Sequence, residues 1–447
     1  MRKKHIAIFI ACCLLITVAV YQKITHKQDV LATLQKAEPA AVDFEEIGGT
    51  FPVYQLLDKN GRLLGYAVIS SASGYGGPIT VLTTINKNGI VEKAMILDHA
   101  ETPAYMERVL EAGYPENLRG IEVTDSAREY AKLDAVGGAT RTTEGILAAV
   151  EKGMAFVGEN QLGVDVPPVE FYQFQWEEGA VVLLLFIAVL AAAFKFRKIR
   201  PVLLVASIIV IGFAAKFSLT LGHFVSVISD KMPAFIDRPV WYVFIFGILV
   251  FTLLLGKNFY CGWLCPFGAA QEGIFKALNL KKVGLDRRLE EFAGKSKWFF
   301  IWLAALFALF FNNPGIASFE PFAVFFGGEG PVSQWLIMGL ILFMSIFILR
   351  FWCRCFCPVG ALLNVMSHMK RRFHRFLRKH RMQETPGVQK NVQPCAKSTC
   401  GSCQTGQSRD KIKRAPLSAF NKAVLVMIAV IDLLIIGVLL QNSGIFS

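Results

Sequence analysis

Two cysteine motifs contain the residues whose types and spacing could bind a metal cofactor. They read Tyr260-Cys-Gly-Trp-Leu-Cys-Pro-Phe-Gly268 and Phe351-Trp-Cys-Arg-Cys-Phe-Cys-Pro-Val-Gly360. Each contains the pattern Cys-x-x-x-Cys-Pro, which supplies Cys261 with Cys265 and Cys353 with Cys357. Thiolates at this spacing can ligate the iron atoms of one cubane, and the proline stops a helix from continuing. Because the pattern occurs twice in equivalent positions, it predicts an iron–sulfur cluster of the 4Fe-4S type rather than packing cysteines.

Four more cysteines lie within or after the second motif, namely Cys355, Cys395, Cys400 and Cys403. The last three have the spacing of a plant-type ferredoxin motif without its fourth ligand, and Cys355 is a hypothetical fourth. Eight thiolates would then hold two cubanes. Two alternatives are open: a single cluster on the four repeated cysteines, or a zinc ion on the last three.

The elements that must position these cysteines are membrane helices. The chain has 447 residues, of which 54% are hydrophobic, and this share indicates several membrane spans. We predict an N-terminal anchor (1–22), a transmembrane region (173–370) and a C-terminal helix (418–447), with about seven spans in all. The apolar runs after the anchor are 180–196, 202–228, 240–255, 298–311, 335–349 and 423–440.

The distribution of positive charge predicts the orientation of these spans. Lys and Arg cluster at 195–200, 276–297 and 370–381, whereas 312–334 contains neither. The positive-inside rule then places both cysteine motifs at the cytoplasmic face of the cell membrane. Residues 371–417 become a basic cytoplasmic segment. The net charge of +13 is explained by loops that orient the chain and contact lipid headgroups, so no nucleic-acid partner is expected.

Residues 23–172 are polar and predict an α+β domain outside the membrane. Alternating stretches at 53–57, 64–69, 79–85 and 90–97 predict strands joined by Asn-Gly turns, and 102–112 and 142–157 predict helices. The expected fold class is therefore a polytopic α-helical membrane protein with an exported α+β domain between its first and second spans.

A glycine-rich turn before the second of these helices predicts an anion site. The stretch from Leu133 to Thr143 brings hydroxyl groups and free N–H groups to a helix start, which favours phosphate. Its motif Asp134-x-x-Gly-Gly-Ala-Thr140 resembles the acceptor motif of the FMN-binding domain of sodium-pumping quinone reductases and Rnf-complex flavoproteins. The resemblance implies that a flavin transferase joins FMN to Thr140 through a phosphoester, beside Gly138 and Ala139.

Alternative acceptors and further contacts of the flavin are also suggested. Thr142 and Thr143 are rival acceptors one helical turn away. Two upstream loops, Gly74-Tyr-Gly-Gly-Pro78 and His99-Ala-Glu-Thr-Pro103, also look like that family. The resemblance implies that these loops line the flavin ring, with Glu101 and Thr102 as its polar contacts.

The membrane half resembles NosR/NirI- and NapH-type proteins, and the FMN-binding domain behind an anchor favours the NosR/NirI type. The absence of a long C-terminal ferredoxin makes the RdhC type, which accompanies reductive dehalogenases, the closest resemblance. It implies a membrane-bound electron transfer flavoprotein that takes electrons from menaquinol in the quinone pool. These electrons would pass through FMN and iron–sulfur clusters to an exported terminal reductase such as a reductive dehalogenase. The alternative is a maturation or regulatory factor for that reductase.

Three further expectations concern electron transfer, haem binding and catalysis. Cytoplasmic thiolates and an outer flavin would be separated by most of the hydrocarbon thickness, about 30 Å, so a quinone or another cofactor would have to bridge them. His223 and His368 could ligate a haem or contact a quinone, but they are interpreted as packing or interfacial residues, and haem is not expected. No nucleophile–base pair is recognisable, so an independent substrate-converting site is not indicated.

Overall fold

The computed structural model of the chain describes residues 2–25, 30–126, 135–169, 174–278, 286–328, 330, 332–383 and 419–443. Its first helix is α1 (Arg2–Thr25), which contains the predicted anchor. The sheet domain follows it, comprising the described residues between 30 and 169.

A five-stranded antiparallel sheet is the centre of this domain. Each strand pairs with the next in chain order: β1 (Asp43–Glu46), β2 (Val53–Leu57), β3 (Leu63–Ser73), β4 (Pro78–Asn86) and β5 (Val91–His99). In the turn between β2 and β3, the carboxylate of Asp58 accepts the backbone N–H groups of Asn60 and Arg62, as expected for a turn aspartate. The four predicted strands are confirmed. β1 was not predicted, because three of its four residues are acidic.

Helices cover both faces of the sheet. They are α2 (Val30–Ala37), α3 (Pro103–Glu111), α4 (Tyr114–Asn117) and α5 (Thr140–Val157), and a π-helical turn (Gly158–Leu162) follows α5. Gly153 allows α5 to approach β3 closely, since a Cβ atom there would lie 2.8 Å from Cγ1 of Val68. On the opposite face, Leu34 of α2 packs with Leu56 and Leu82. The domain therefore has two apolar layers around one sheet.

The membrane half consists of helices that share one large apolar core. In chain order they are α6 (Trp176–Ala193), α7 (Arg200–Ser207), α8 (Leu221–Ile228), α9 (Pro239–Leu255), α10 (Phe259–Trp263), α11 (Pro266–Ala277), α12 (Arg287–Phe310), α13 (Phe322–Gly327), α14 (Val332–Phe347), α15 (Phe351–Cys355), α16 (Pro358–Gln383) and α17 (Ala419–Asn442). Short 3₁₀ turns lie at Arg197–Ile199 and Pro314–Ala317.

The predicted span 202–228 is wrong as one continuous helix. α7 passes into π-helical turns at Ile208–Ala214, and residues 215–220 are not helical before α8 begins. Lys216 within this break has a φ of 50°, in the left-handed region. Non-helical backbone within a membrane bundle is tolerated where it lines a cavity, and this segment does so.

Among the described residues, three helices are long and apolar enough to cross a membrane, namely α6, α12 and α17. A fourth span results if α9 and the segment Phe259–Ala277, which are bent by 99° to each other, form one broken span. The expected number of about seven is therefore not confirmed, whereas a helical membrane protein with a sheet domain is.

The sheet domain packs directly on the membrane half. Nζ of Lys152 in α5 lies 2.8 Å from Oδ1 and 3.0 Å from Oδ2 of Asp237, just before α9. These two side chains are 8% and 7% exposed, so the ion pair is buried. Lys231 forms a second pair with Asp98 at 2.7 Å. These two ion pairs thus join the sheet domain to the membrane half.

Candidate functional site

A cavity of about 430 Å³ lies where the sheet domain meets the membrane helices. Its domain side includes Tyr75, Thr102 and the start of α5. Its membrane side includes the start of α6, the break before α8, α8 itself, the start of α9 and residues between Pro314 and Gln334. This volume is typical of a pocket for a small molecule or cofactor. Distant regions of the sequence therefore build one cavity.

The start of α5 presents one free hydroxyl group to this cavity. Thr140 is exposed and lines the cavity, and its hydroxyl makes no hydrogen bond to any residue that the structure describes. Its rivals are each 1% exposed and already bonded: Thr142 donates to Oε2 of Glu101 at 2.9 Å, and Thr143 donates to the carbonyl of Ala139 at 2.9 Å. Among the three threonines, Thr140 is the one whose hydroxyl has no partner among the described residues.

Three other predicted flavin contacts also line the cavity, namely Gly138, Ala139 and Thr102. Gly138 has a φ of 83°, which a residue with a side chain rarely adopts, so this turn requires glycine. The predicted contact Asp134 lies outside the described residues.

Glu101 lies in the wall behind the cavity and is not one of its lining residues. Its carboxylate accepts the N–H of Gly76 at 2.9 Å and the hydroxyl of Thr142, so it ties an upstream loop to the start of α5. Its backbone carbonyl accepts Nδ2 of Asn313 from the membrane half at 3.1 Å. Burial raises the pKa of the Glu101 carboxyl. Direct contact of Glu101 with a flavin stays a prediction.

Two guanidinium groups from different parts of the chain lie at the cavity. Arg141 follows Thr140 in α5, and Arg238 directly precedes α9. Burial, followed by repulsion from Arg141, lowers the pKa of Arg238. Two neighbouring cations at a helix start favour an anion such as a phosphoryl group.

The membrane side of the cavity contains two titratable side chains. Glu320 is 3% exposed, and its Oε1 accepts the N–H of Leu221 at the start of α8 at 2.7 Å. Burial raises the pKa of the Glu320 carboxyl to about 7. His223 lies on α8, where its Nδ1 accepts the N–H of Thr220 at 3.1 Å. His223 also lines the cavity, and its ring packs against Phe217 and Trp241, as expected for a packing histidine.

The two cysteine motifs have the same local structure. Pro266 and Pro358 begin α11 and α16, so Cys265 and Cys357 each lie at the start of a helix. Each thiol accepts the N–H of the glycine three residues later, at 3.4 Å from Gly268 and 3.3 Å from Gly360. The proline therefore allows a new helix to begin at each motif, as it does in other proteins.

The same two glycines show that the motifs face each other. A Cβ atom on Gly268 would lie 3.5 Å from Sγ of Cys265 and 3.6 Å from Sγ of Cys353. A Cβ atom on Gly360 would lie 3.6 Å from Sγ of Cys357 and 3.8 Å from Sγ of Cys261. The side-chain position of each glycine thus lies between one thiol from each motif. No three His, Cys, Asp or Glu side chains within the described ranges converge as ligands of a single ion, but a cubane is wider than an ion.

Cationic side chains hold the backbone of the first motif. Nη1 of Arg350 donates to the carbonyl of Cys261 at 2.6 Å, and Nε of Arg200 donates to that of Gly262 at 3.0 Å. Both guanidinium groups also bind Glu272 at 2.7 Å. Arg350 has a φ of 55°, so its backbone is in the strained left-handed region. These contacts place positive charge beside the thiols.

Cys355 ends α15, between Cys353 and Cys357 of the second motif. It is 1% exposed. The trio Cys395, Cys400 and Cys403 lies outside the described residues, so a second cluster completed by Cys355 stays a prediction.

Aromatic rings connect the cavity to the first motif. Phe217 lines the cavity, and its ring centroid lies 5.1 Å from that of Phe244, which is 6.0 Å from that of Tyr260. Tyr260 directly precedes Cys261, and its hydroxyl accepts the N–H of Leu219 at 3.1 Å. The cavity wall is thus two ring contacts from the motif. The segment Phe259–Ala277, which contains the first motif, is bent by 99° relative to α9, and the expected separation of about 30 Å across the membrane stays a prediction.

Sequence reasoning missed the membrane side of the cavity. Lys216 within an apolar run and Arg238 directly before one were not singled out, although a cation inside a predicted span is itself a signal of a functional break. Glu320 carries no such signal, since it lies in a region that was predicted to be an outer loop.

Comparison with known proteins supports both halves of the site. Residues 74–155 match the FMN-binding domain family, and residues 238–284 and 335–375 match the 4Fe-4S binding domain family. The first match contains Thr140 and both upstream loops, and the second contains the four repeated cysteines.

Three relatives share parts of the chain. Protein NirI of Paracoccus denitrificans is 26% identical over 39% of this chain and 28% of its own length. The regulatory protein NosR of Stutzerimonas stutzeri is 29% identical over 39% of this chain and 26% of its own length. A component of the ion-translocating oxidoreductase complex of Cereibacter sphaeroides is 25% identical over 31% of this chain and 73% of its own length. The chain thus spans little more than a quarter of NirI or NosR.

Proposed function

Since the chain is a NosR/NirI-type FMN-binding iron–sulfur protein, we propose that it transfers electrons between a covalently bound flavin and an iron–sulfur cluster in the membrane. The observation that carries this proposal is the pair of ring contacts between the cavity and the first cysteine motif. A flavin suits such a role because it exchanges electrons with both one-electron and two-electron carriers.

The flavin site is the cavity, with FMN joined to Thr140 by a flavin transferase. Support comes from the unbonded hydroxyl of Thr140 and from the bonded hydroxyls of Thr142 and Thr143. Arg141 and Arg238 would neutralise the phosphoryl charge. A cavity of about 430 Å³ behind this threonine leaves room for an aromatic ring system. The residues present therefore fit FMN.

The iron–sulfur site comprises Cys261, Cys265, Cys353 and Cys357. Support comes from Gly268 and Gly360, since a Cβ atom on either glycine would lie within 3.8 Å of one thiol from each motif. Four thiolates are the ligand set of one cubane, so this group alone suffices for a 4Fe-4S cluster. The positive charge of Arg350 would stabilise the cluster, whose net charge is negative.

The donor and acceptor of the electrons follow from the resemblance to NosR/NirI- and RdhC-type proteins. Menaquinol from the quinone pool would be the donor, and an exported terminal reductase, such as a reductive dehalogenase, would be the acceptor. The flavin domain would then lie outside the cytoplasmic membrane and the cysteine motifs on its cytoplasmic side. A role in maturation or regulation of the reductase is the alternative, since the relative NosR is named a regulatory protein.

One preparation tests these parts. The full chain is produced with a flavin transferase and purified anaerobically, and intact mass, iron content and flavin absorbance are measured. We expect the mass of one FMN on Thr140, about four iron atoms per four-thiol site, and loss of flavin absorbance on addition of menaquinol. Thr140→Ala should remove the added mass, whereas Thr124→Ala, at another exposed threonine of the sheet domain, should keep it.

A contrary result separates electron transfer from maturation. If the flavin stays oxidised in the presence of menaquinol while the partner reductase turns over normally without this chain, the electron-transfer proposal fails.

A further inference from the structure

The membrane side of the cavity contains a carboxylate that lacks a second partner. Oε1 of Glu320 accepts the N–H of Leu221, but Oε2 is buried and has no hydrogen bond within the described part of the chain. A buried acceptor without a donor is costly, so native proteins rarely keep one unless a ligand or water completes it. Glu320 lines the cavity, which is where such a ligand would lie.

His223 provides a complementary donor in the same cavity. Its Nδ1 accepts the backbone N–H of Thr220 at 3.1 Å and lies 2.8 Å from the hydroxyl of Thr220, which can also donate to it. With Nδ1 as acceptor, the neutral ring carries its hydrogen on Nε2. Nε2 forms no hydrogen bond with any described residue. The cavity therefore contains one acceptor, on Glu320, and one donor, on His223, that the fold itself does not use.

The walls around these two groups favour an aromatic, membrane-soluble ligand. Four aromatic side chains from the membrane half line this side, namely Phe217, Trp241, Phe322 and Phe326. They belong to the apolar core of the bundle or pack against it. A ring with hydroxyl or carbonyl oxygens at its edge would stack on such walls and use both polar groups.

We propose that the membrane side of this cavity binds the headgroup of a quinol, with Glu320 as acceptor for one hydroxyl group and Nε2 of His223 as donor to a ring oxygen. This inference rests on the proposed function and gives it a site. Oxidation removes two electrons and two protons from the quinol. The carboxylate of Glu320 takes one proton, and a flavin takes both electrons and the other proton.

The test measures binding separately from electron transfer. The full chain in lipid nanodiscs is titrated with menadione, a soluble naphthoquinone, and quenching of tryptophan fluorescence reports binding because Trp241 lines the cavity. In parallel, flavin reduction by menadiol is followed by absorbance. Glu320→Gln keeps an oxygen for the N–H of Leu221 but removes the proton acceptor. Glu111→Gln, at an exposed carboxylate on α3, is the matched control.

We expect Glu320→Gln to slow flavin reduction by menadiol at least about tenfold, because a hydrogen bond to a charged group and the proton acceptor are both lost. His223→Asn, which retains an acceptor near the position of Nδ1 but lacks Nε2, should weaken menadione binding about tenfold. Glu111→Gln should change neither. His223→Asn keeps the inference testable if Glu320→Gln does not fold.

Suppose that menadiol reduces the flavin of the wild-type chain, so that the proposed function stands. The inference is then overturned if Glu320→Gln leaves the rate of flavin reduction unchanged, or if His223→Asn leaves the affinity for menadione unchanged. If the wild-type chain binds menadione and His223→Asn does not, but menadiol never reduces the flavin, the binding site stands and the proposed function fails.

Discussion

The buried ion pair between Lys152 and Asp237 is predicted to hold the sheet domain against the membrane helices. Both side chains are less than a tenth exposed, and Nζ contacts both carboxylate oxygens. Lys152→Met leaves the Asp237 carboxylate buried without its cation, and such a loss costs about 3–5 kcal/mol. Because the two residues belong to different parts of the chain, we expect the docking equilibrium to shift by a factor of at least about a hundred.

Hydrogen exchange measures this shift in the intact chain. In lipid nanodiscs, backbone amides at the contact between the parts, including 231–238, should exchange faster in Lys152→Met than in the wild-type chain. The double variant with Lys152→Met and Asp237→Leu should recover most of the protection, since replacing a buried pair by apolar residues is often neutral. Lys93→Met, at an exposed lysine of β5, is the control. Wild-type exchange in Lys152→Met would refute the reasoning.

Four further predictions concern the cofactor sites. Thr140→Ala should abolish the covalent flavin seen by intact mass, and a flavin that persists on another threonine would contradict the assignment. Cys357→Ser should remove the iron of one cluster while Cys12→Ser, in α1, keeps it; equal iron in both would exclude the four-thiol site. Burial raises the pKa of Glu320 to about 7 from 4.5, so the folded chain binds more protons than the unfolded chain in this window, and stability falls as pH rises through it. Glu320→Gln should reduce that fall in stability, measured by thermal unfolding between pH 5 and pH 7.5. The same pH dependence of stability in the wild-type chain and in Glu320→Gln would contradict this prediction. Arg350→Gln should lower the reduction potential of the cluster by about tens of millivolts, because it removes a positive charge next to Cys261; an unchanged potential in a redox titration would contradict this.

The sheet domain could be predicted from the sequence because its signals are local. Alternating residues and Asn-Gly turns define β2 to β5, and the four lining residues Thr102, Gly138, Ala139 and Thr140 lie in short motifs close to them. The repeated cysteine pattern is also local, and it indicates its ligand chemistry before any fold is known. The alternation of residues along the strands and the spacing within the motifs are therefore enough to predict this half of the site.

The cavity could not be predicted because it depends on contacts between distant segments. A hydropathy run cannot show that the helix breaks at 215–220, since apolar residues continue on both sides of Lys216. Nor can it show that Tyr260 reaches back to Leu219, which brings the cysteine motif close to the flavin side. The predicted number of spans was not confirmed for a similar reason, because short and bent helices have the composition of membrane spans without their length.

The central claim is that one chain places a flavin on Thr140 within electron-transfer reach of a cluster on Cys261, Cys265, Cys353 and Cys357. Electron paramagnetic resonance tests it directly. The anaerobic, flavinylated full chain is partly reduced, and the spin relaxation of the flavin radical is compared with that in Cys357→Ser. Faster relaxation in the wild-type chain is predicted, because a reduced cluster nearby is paramagnetic. Identical relaxation in two proteins whose iron contents differ would contradict it.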